Sequence, residues 1–475
     1  MTKFIRIYSL LFLSSLFFSA YAQQPEKKEA KPKYEKVSSH VILITISGLG
    51  AIELNDSEKN KLRLPSILTL RDRGSRALSV ESTYPSQVMP AHATITTGTL
   101  PSDHGITSDY PFNEKLGTQS PEPFTLTKDI KGDTIWDLAK RAGLTTAAVG
   151  YPLTAGAALD FNLPVFFDSS FSSETNSVHQ LFSNQYVNPQ ILSDQISALL
   201  KSEVFKPNEK LKDLSLELKI DHYKALAAAY LLEKNRPNLL LINFQSFSSA
   251  ERRYGHGSRE AFSALESIDE DVKRIVDSTE RAGLAVTFLI LSDFGSMRTE
   301  QIFKPNVLLE KKGWLTTGHQ GQITSWRVIV QALGGSAAVF VKDNEHQQFI
   351  EEVEKFFRDF HEKPDSPIWR IVPRYEASKL GADPRAAFYL DAAPNFAFSS
   401  EVKGGRTDGS PERAGNGYLP SRAEIRASLI ISGKGITQGE KINYIRLIDI
   451  APTIARLFGL EMRTARGRVL SEVIE

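Results

Sequence analysis

Four short apolar runs limit the folds open to this chain, at residues 40–46, 145–149, 238–244 and 285–291. Runs with little polar alternation are typical of strands covered on both faces, as in parallel sheets. Helical patterns at 134–143, 222–233 and 260–282 come just before the last three runs. This alternation predicts an α/β fold with a mostly parallel central sheet and helices on both faces.

The remaining elements are predicted from local signals. Helices are expected at 65–73, 91–97, 347–360 and 449–460, and strands at 77–80, 337–341 and 426–431. Gly98 and Gly143 stand where helices commonly end. Two less regular segments, at about 159–221 and about 298–420, are expected to be insertions roofing the carboxyl ends of the strands. The region 38–475 is therefore predicted to be one α/β domain with insertions.

The amino-terminal residues have the pattern of a secretory signal. Lys3 and Arg6 precede an apolar segment at 7–18, and Ala20-Tyr21-Ala22 is a small-x-small cleavage site. Residues 1–22 are therefore predicted to be a signal peptide, and 23–37, rich in Lys, Glu, Pro and Gln, a disordered tether. We expect an exported protein, periplasmic or secreted, with no membrane span after signal removal. A retained amino-terminal anchor is the alternative.

Charge and cysteine content exclude several classes of function. Lys and Arg number 57 against 56 Asp and Glu, a net charge of +1, which gives no field to attract nucleic acid. The chain has no cysteine, so a thiol nucleophile and thiolate metal ligands are excluded. Any metal site must use His, Asp and Glu, and there are nine histidines.

Five punctuated motifs follow one another in the order of a known family. They are Thr83–Gly98, Leu100–Ile106 with His104-Gly105-Ile106, Ser292-Asp293-x-Gly295, Gly415-x-Gly417-Tyr418 and Asp449–Thr453. This arrangement resembles the alkaline phosphatase superfamily, and within it the type I phosphodiesterase/nucleotide pyrophosphatase branch. The resemblance covers roughly residues 40–152, 238–341 and 380–470. It implies an alkaline-phosphatase-like three-layer sandwich with inserted lid segments.

The same resemblance implies a phosphoric-ester hydrolase with two zinc ions and a threonine nucleophile, but most of the matching positions are substituted. Val88 stands at the nucleophile, and the residues at the six metal-ligand positions are Ser47, Asp293, Phe294, Ser248, Arg252 and Asn416. An alternative registration, with Gln245 in place of Ser248, restores no ligand. Among these positions, Asp293 alone keeps the ligand that the family uses.

These substitutions predict that the chemistry is lost. Val88 has no lone pair with which to attack phosphorus, a single carboxylate retains zinc poorly, and an arginine at a ligand position repels it. No cofactor is therefore expected, and two zinc ions only if this interpretation is wrong. His92 and His104 are expected to be structural and His319 to be solvated. His256 is closest in sequence to the lost ligands, so a relocated metal role stays open for it.

The leading hypothesis is a catalytically inactive, exported homologue that acts as a binding or interaction protein with an unknown partner. Arg252 and Arg253 are candidates for binding an anion such as a phosphoester, since guanidinium groups bind phosphate without metal. The alternative is that both are solvated loop arginines. A second hypothesis is an active metal-dependent hydrolase of phosphodiester or phosphomonoester bonds that uses relocated residues, with Ser86 or Thr83 as nucleophile. A scaffold without a small ligand is the third.

Overall fold

A computed structural model describes residues 33–164, 184–203, 209–342 and 346–475. The predicted signal peptide and all but the last five residues of the predicted tether lie outside these residues. In the part of the chain that is described, no helix combines the length and hydropathy needed to cross a bilayer.

A nine-stranded sheet lies at the centre of the described structure. Its strands, in spatial order, are Lys441–Ile442, Ser75–Glu81, Ala427–Gly433, Val286–Leu291, His40–Ile46, Leu239–Phe244, Thr146–Val149 and Phe161–Leu163, with Ile445–Arg446 also pairing with Ser75–Glu81. All the pairings are parallel except those of Ala427–Gly433, which is antiparallel to both neighbours. The carboxyl ends of the three middle strands therefore meet at one edge.

Helices cover both faces of this sheet, as the apolar runs predict. Along the first strand, Ile42, Ile44 and Ile46 enter one core cluster, and Val41 and Leu43 enter another on the opposite face. The first face packs against helices Pro65–Arg73, Ile191–Lys201, Ser215–Lys234, Ser246–Tyr254 and Arg259–Arg281. The second packs against Val88–Thr97, Ile135–Arg141 and Ile450–Leu457. The predicted three-layer sandwich is confirmed.

A second, antiparallel layer occupies much of the predicted 298–420 insertion. Its four-stranded sheet runs in the order Val328–Ala332, Ser336–Val341, Phe388–Ala392 and Ile368–Pro373, with helices Pro305–Lys311, Gln347–His361 and Arg374–Lys379. Strand Met297–Phe303 pairs with Asn395–Phe398, Thr407–Gly409 and Ala414–Gly415 in another small sheet. Short hairpins join Phe112–Asn113 to Thr118–Gln119 and Leu315–Thr317 to Ile323–Trp326. Two further helices are short: Ala51–Asn55 follows the first strand, and Pro101–His104 follows helix Val88–Thr97.

The insertion returns to the central sheet at the proline-rich turn before helix Val88–Thr97. Tyr84 packs in the core of the insertion, with its ring centroid 5.2 Å from that of Tyr389. The Ser86 hydroxyl donates to the Tyr418 carbonyl (2.9 Å), and the Gly417 N–H donates to the Ser86 carbonyl (2.9 Å). These contacts fix the insertion beside the carboxyl end of the strand Ser75–Glu81.

The predicted insertion at about 159–221 differs from the observed structure at both ends. Phe161–Leu163 pairs in parallel with Thr146–Val149 as an edge strand of the central sheet. Helix Ser215–Lys234 begins seven residues earlier than the predicted 222–233, and its buried residues belong to the central core. A strand of three residues is too short to show periodicity, so sequence patterns did not separate it from the insertion.

Candidate functional site

Ser47 and Asp293 follow neighbouring parallel strands, and their side chains meet at the carboxyl edge of the sheet. The Ser47 hydroxyl donates to Oδ2 of Asp293 (2.8 Å). The backbone N–H groups of Gly48 (3.1 Å) and Phe294 (2.9 Å) donate to Oδ1. The Asp293 side chain is completely buried, and burial raises its pKa. Its carboxyl oxygens are thus bound by the protein's own donors.

His92 is the histidine beside Asp293. Its Nδ1 lies 2.9 Å from the Val88 carbonyl and 3.9 Å from Oδ2 of Asp293. Because a carbonyl only accepts, Nδ1 carries the proton and Nε2, 3.2 Å from the Thr45 hydroxyl, is the acceptor. Complete burial lowers the pKa of His92 and favours this neutral form. His92 is therefore a satisfied buried histidine, as predicted.

Val88 opens the helix Val88–Thr97, and a carboxylate of the protein lies at the same helix end. The Met89 N–H donates to Oδ1 of Asp109 (2.8 Å), and the Asp109 N–H donates to Oε1 of Gln87 (3.2 Å). Burial raises the pKa of Asp109 to about 6. Helix amino termini attract external anions. At this helix end, the first residue is Val88, with an alkyl side chain, and the carboxyl group of Asp109 already accepts a backbone N–H.

Ser248 and Arg252 lie on helix Ser246–Tyr254, close to the end of the first strand. A Cβ on Gly48 would lie 3.2 Å from the Ser248 Cβ. Arg252 donates to the hydroxyls of Ser248 (Nη1, 3.2 Å) and Ser249 (Nη2, 3.3 Å). Its Nε lies 3.7 Å from Oε1 of Glu412, and 40% of its side chain is exposed. Arg252 is therefore reachable from solvent and partly paired.

Arg253 does not join Arg252 in a guanidinium pair. Its side chain is exposed and donates to the Asp213 carbonyl. Successive helix positions project in different directions, so adjacent arginines do not face one ligand. Arg253 is therefore not placed to share a ligand with Arg252. Anion binding at Arg252 stays a prediction.

Phe294 and Asn416 occupy the last two of the compared positions. The phenyl ring of Phe294 is fully buried. Asn416 lies in the loop that returns to the proline-rich turn, and its carbonyl accepts from the Gly335 N–H (2.8 Å). Neither residue contributes a ligand that favours zinc.

The two alternative nucleophiles are both buried. The Ser86 hydroxyl is committed to the Tyr418 carbonyl, and the Thr83 hydroxyl donates to the Pro85 carbonyl (3.0 Å). Activation of either group needs a base within hydrogen-bonding distance. The bonds observed for both hydroxyls are to backbone carbonyls, which are not bases.

These residues do not fit a pair of zinc ions. Zinc in proteins is bound by thiolate, imidazole and carboxylate groups, and of the compared positions only Asp293 offers one of these, beside hydroxyl, phenyl, alkyl, amide and guanidinium groups. Oδ1 of the buried Asn243 side chain lies 2.9 Å from the Thr45 hydroxyl oxygen and 3.3 Å from that of Ser47. Its Nδ2 has no partner among the described residues, and an N–H donor repels a cation.

A second group of ionisable side chains lies on the other side of Gly48. His256 Nδ1 is 3.1 Å from Oε1 of Glu251 and 3.0 Å from the Ser296 hydroxyl, and its Nε2 is 3.4 Å from Oε1 of Glu53. Both carboxyl groups are buried. Burial and the neighbouring Glu251 raise the pKa of Glu53 to about 7. Contact with Glu251 raises the pKa of His256.

The two remaining histidines considered in the sequence analysis, His104 and His319, are a buried and an exposed residue. His104 is buried, with Nε2 2.9 Å from the Thr94 hydroxyl, and burial lowers its pKa to about 3. His319 is exposed, as predicted.

Sequence reasoning missed Glu53, Glu251 and Asp109. Glu53 and Glu251 are 198 positions apart and meet because their helices follow adjacent strands. The spacing of Glu251 and His256 along one segment was the available signal, but it does not reveal a distant partner. Asp109 lies five residues beyond His104, and its role depends on a turn that brings it back to Met89.

The chain is similar to a known protein family and to one of its curated members. Residues 41–401 match the type I phosphodiesterase / nucleotide pyrophosphatase family. Human ectonucleotide pyrophosphatase/phosphodiesterase family member 1 is 23% identical over 238 residues, which cover 49% of this chain and 21% of the relative. The matched part thus spans about a fifth of the curated relative's length.

Solved structures of family member 5 share the fold. Murine ectonucleotide pyrophosphatase / phosphodiesterase 5 matches with a TM-score of 0.62 at 14% identity, covering 92% of this chain and 100% of that one. The human protein matches with a TM-score of 0.58 at 13% identity, covering 90% and 95%. The likeness confirms the alkaline-phosphatase-like architecture. The family match extends over most of the chain, which therefore belongs to the type I phosphodiesterase / nucleotide pyrophosphatase family.

Proposed function

We propose that this protein is an exported, catalytically inactive member of its family that acts as a binding or interaction protein. The observation that carries the proposal is the state of the Asp293 carboxyl group. Its oxygens accept from Ser47, Gly48 and Phe294 inside a fully buried environment. The neighbouring strand end thus presents a hydroxyl donor to this carboxyl group, where a second acidic side chain would be needed to help hold a cation. We expect no zinc at this position.

The start of helix Val88–Thr97 supports the same proposal. Val88 supplies no nucleophilic atom, and Asp109 already accepts the Met89 N–H (2.8 Å). An incoming phosphate would meet a carboxylate at the helix end where it needs a donor. Phosphoryl transfer requires a nucleophile and positive charge aimed at the phosphate, and here an alkyl group stands at the nucleophile position and a carboxylate already accepts the Met89 N–H.

For the binding role, we propose a phosphoester as the small ligand, with Arg252 as the group that contacts it. The murine relative has also been solved as an inactive variant in complex with AMP, which makes AMP the natural probe. Arg252 is partly exposed and lies beside Ser248 at the strand end. A guanidinium group binds phosphate through two parallel hydrogen bonds.

Activity is tested with the purified mature protein in zinc-containing buffer and bis-p-nitrophenyl phosphate as substrate. We expect no turnover above buffer, with an active phosphodiesterase assayed alongside as the positive control. Turnover that persists after purification and is abolished by Ser86→Ala or Thr83→Ala would establish the hydrolase instead. Both hydroxyls are buried and bonded to carbonyls, so this second function has the weaker support.

Binding is tested by the rise in melting temperature with AMP, which measures ligand linkage. We expect a rise for the wild type and for Arg253→Gln, the matched control, and none for Arg252→Gln. Equal behaviour of the two variants would reject the assigned contact.

Export is tested separately by expressing the full chain in a bacterial host. Amino-terminal sequencing of the exported product should begin at Gln23, and retention of residues 1–22 would indicate an anchor.

A further inference from the structure

Glu53, Glu251 and His256 form a compact group of possible metal ligands outside the Asp293 position. Glu53 comes from the short helix Ala51–Asn55, and Glu251 from helix Ser246–Tyr254. One ligand atom from each residue lies within 4.8 Å of the other two. Glu53 is 3% exposed and Glu251 1%, whereas His256 keeps 27% of its side chain exposed.

The charges of this group are not balanced by its own contacts. Glu251 accepts from the Ser296 hydroxyl at Oε2 (2.7 Å) and contacts His256 at Oε1. Glu53 faces His256 through Oε1, but its buried Oε2 has no hydrogen-bond partner among the described residues. A buried carboxylate oxygen without a partner is costly. When both acids are ionised, two carboxylates face one imidazole, which leaves negative charge in excess.

We propose that Glu53, Glu251 and His256 bind one divalent transition-metal cation of the Zn²⁺ or Mn²⁺ type. Mixed imidazole and carboxylate ligands suit these ions. Ligand atoms lie about 2.0–2.2 Å from zinc, so two ligands of one ion are at most about 4.4 Å apart. Small side-chain rotations bring the three atoms to that spacing. The cation gives the Glu53 carboxylate, whose Oε2 has no hydrogen-bond partner among the described residues, a positive partner. It also neutralises the negative charge of the two carboxylates.

The site has an entry path. His256 lines a cavity of about 390 Å³, together with Tyr254, Arg298 and Arg413. The two arginines weaken the attraction for a cation, but Arg298 is paired with Glu300 at 2.5 Å, which offsets part of its charge. The cavity leaves room for solvent ligands on the side of the ion that the protein does not cover.

The site is separate from the Asp293 position, although both border Gly48. The Gly48 N–H donates to Asp293, and a Cβ on Gly48 would lie 3.2 Å from Oε2 of Glu251. A metal bound by the Glu53 group therefore needs none of the family's compared ligand positions. It implies no hydrolytic activity, so its presence or absence is independent of the proposed function.

The test is equilibrium dialysis of the mature protein against Zn²⁺ or Mn²⁺, with metal content measured by mass spectrometry. We expect one ion per chain for the wild type, and at least tenfold weaker binding for Glu53→Gln and for His256→Gln. Asp293→Asn and Asp359→Asn, the second at an exposed acid of helix Gln347–His361, are the controls and should bind like the wild type. Wild-type protein without metal, or a Glu53→Gln variant that binds normally, would overturn the proposal. Loss of the metal in Asp293→Asn alone would place the ion at the other position and overturn it as well.

The melting temperature is a second readout, which shows whether a variant that loses the metal is still folded. Glu53→Gln removes a buried charge, so its metal-free melting temperature should equal or exceed that of the wild type. Only the wild type and the two controls should gain melting temperature when metal is added. Co²⁺ in place of Zn²⁺ should give visible absorption bands in the wild type that both ligand variants lack. Absence of these bands from the Co²⁺-treated wild type would count against the proposal.

Discussion

The Ser47 hydroxyl donates a 2.8 Å hydrogen bond to Oδ2 of Asp293, across two adjacent strand ends in the centre of the sheet. Both side chains are buried. The hydroxyl group of Ser47 stabilises the buried carboxyl group of Asp293 by donating a hydrogen bond. If a second acid stood in place of Ser47, the two carboxyl groups would need a cation between them. Together with the N–H groups of Gly48 and Phe294, this contact gives the Asp293 carboxyl group three donors from the protein.

Ser47→Asp places a second acid against Asp293. We expect it to lower the free energy of unfolding at pH 7 by about 3–5 kcal/mol, because it buries an uncompensated charge. Ser47→Ala, the control, removes one charge-assisted hydrogen bond and should cost about 1.5–3 kcal/mol. Urea unfolding measures both. If zinc restored the stability of Ser47→Asp, the remaining side chains would be competent ligands and the argument against zinc would fail.

Asp109→Asn tests the internal acid at the start of helix Val88–Thr97. The folded pKa of Asp109 is raised to about 6, so the cost of its charge is present above pH 6 and fades as the pH falls toward 4. Asparagine keeps an acceptor for the Met89 N–H. We expect Asp109→Asn to be more stable than the wild type by about 1 kcal/mol at pH 7.5 and equal to it near pH 4. A difference that does not change with pH would contradict this assignment.

His104 makes the stability of the protein fall in mild acid. Burial lowers its folded pKa to about 3, whereas the unfolded chain takes up the proton near pH 6.5. Its contribution is therefore complete above pH 6.5 and is lost as the pH falls toward 3. Between pH 7 and pH 5, we expect the wild type to lose about 2 kcal/mol more than His104→Gln in urea unfolding. Equal losses would show that His104 is protonated in the folded state.

Asp391→Ala tests the ion pair that joins the insertion to its return segment. Asp391 is fully buried and accepts from Arg422 Nε (2.9 Å) and the Leu419 N–H (2.8 Å). Removing the carboxylate leaves the buried Arg422 guanidinium uncompensated, at a cost of about 3–5 kcal/mol. The exposed pair Lys355–Asp359 is the matched control, and Asp359→Ala should cost under about 1 kcal/mol. Thermal unfolding measures the destabilisation of each variant. If Asp391→Ala cost no more than Asp359→Ala, the buried ion pair would not stabilise the contact between the insertion and its return segment.

Sequence patterns were sufficient for the layers but not for the edges of the fold. The apolar run at 40–46 predicted a doubly covered strand, and the structure has His40–Ile46 in the middle of the sheet. Phe161–Leu163 was not recognised as a strand because three residues carry no period. Its place depends on pairing with Thr146–Val149, which is a property of the assembled sheet.

The candidate site was predicted unevenly for a related reason. The order of motifs along the chain led to the prediction that Ser47, Val88 and Asp293 stand at ligand and nucleophile positions of the family. It could not show that the Ser47 hydroxyl binds Asp293, or that Arg252 and Arg253 point to different partners. Those outcomes depend on distances between elements far apart in the chain.

The sequence by itself determined the family, the alternation of helices and strands, and the absence of a nucleophilic atom at Val88, because these follow from residue type and order. The tertiary structure alone decided that Glu53 and Glu251 meet at His256, and that Asp109 returns to the start of its helix. Contacts between residues many positions apart arise when parallel strands bring their ends to one edge. Such contacts cannot be predicted from local patterns in the sequence, because those patterns depend only on neighbouring residues.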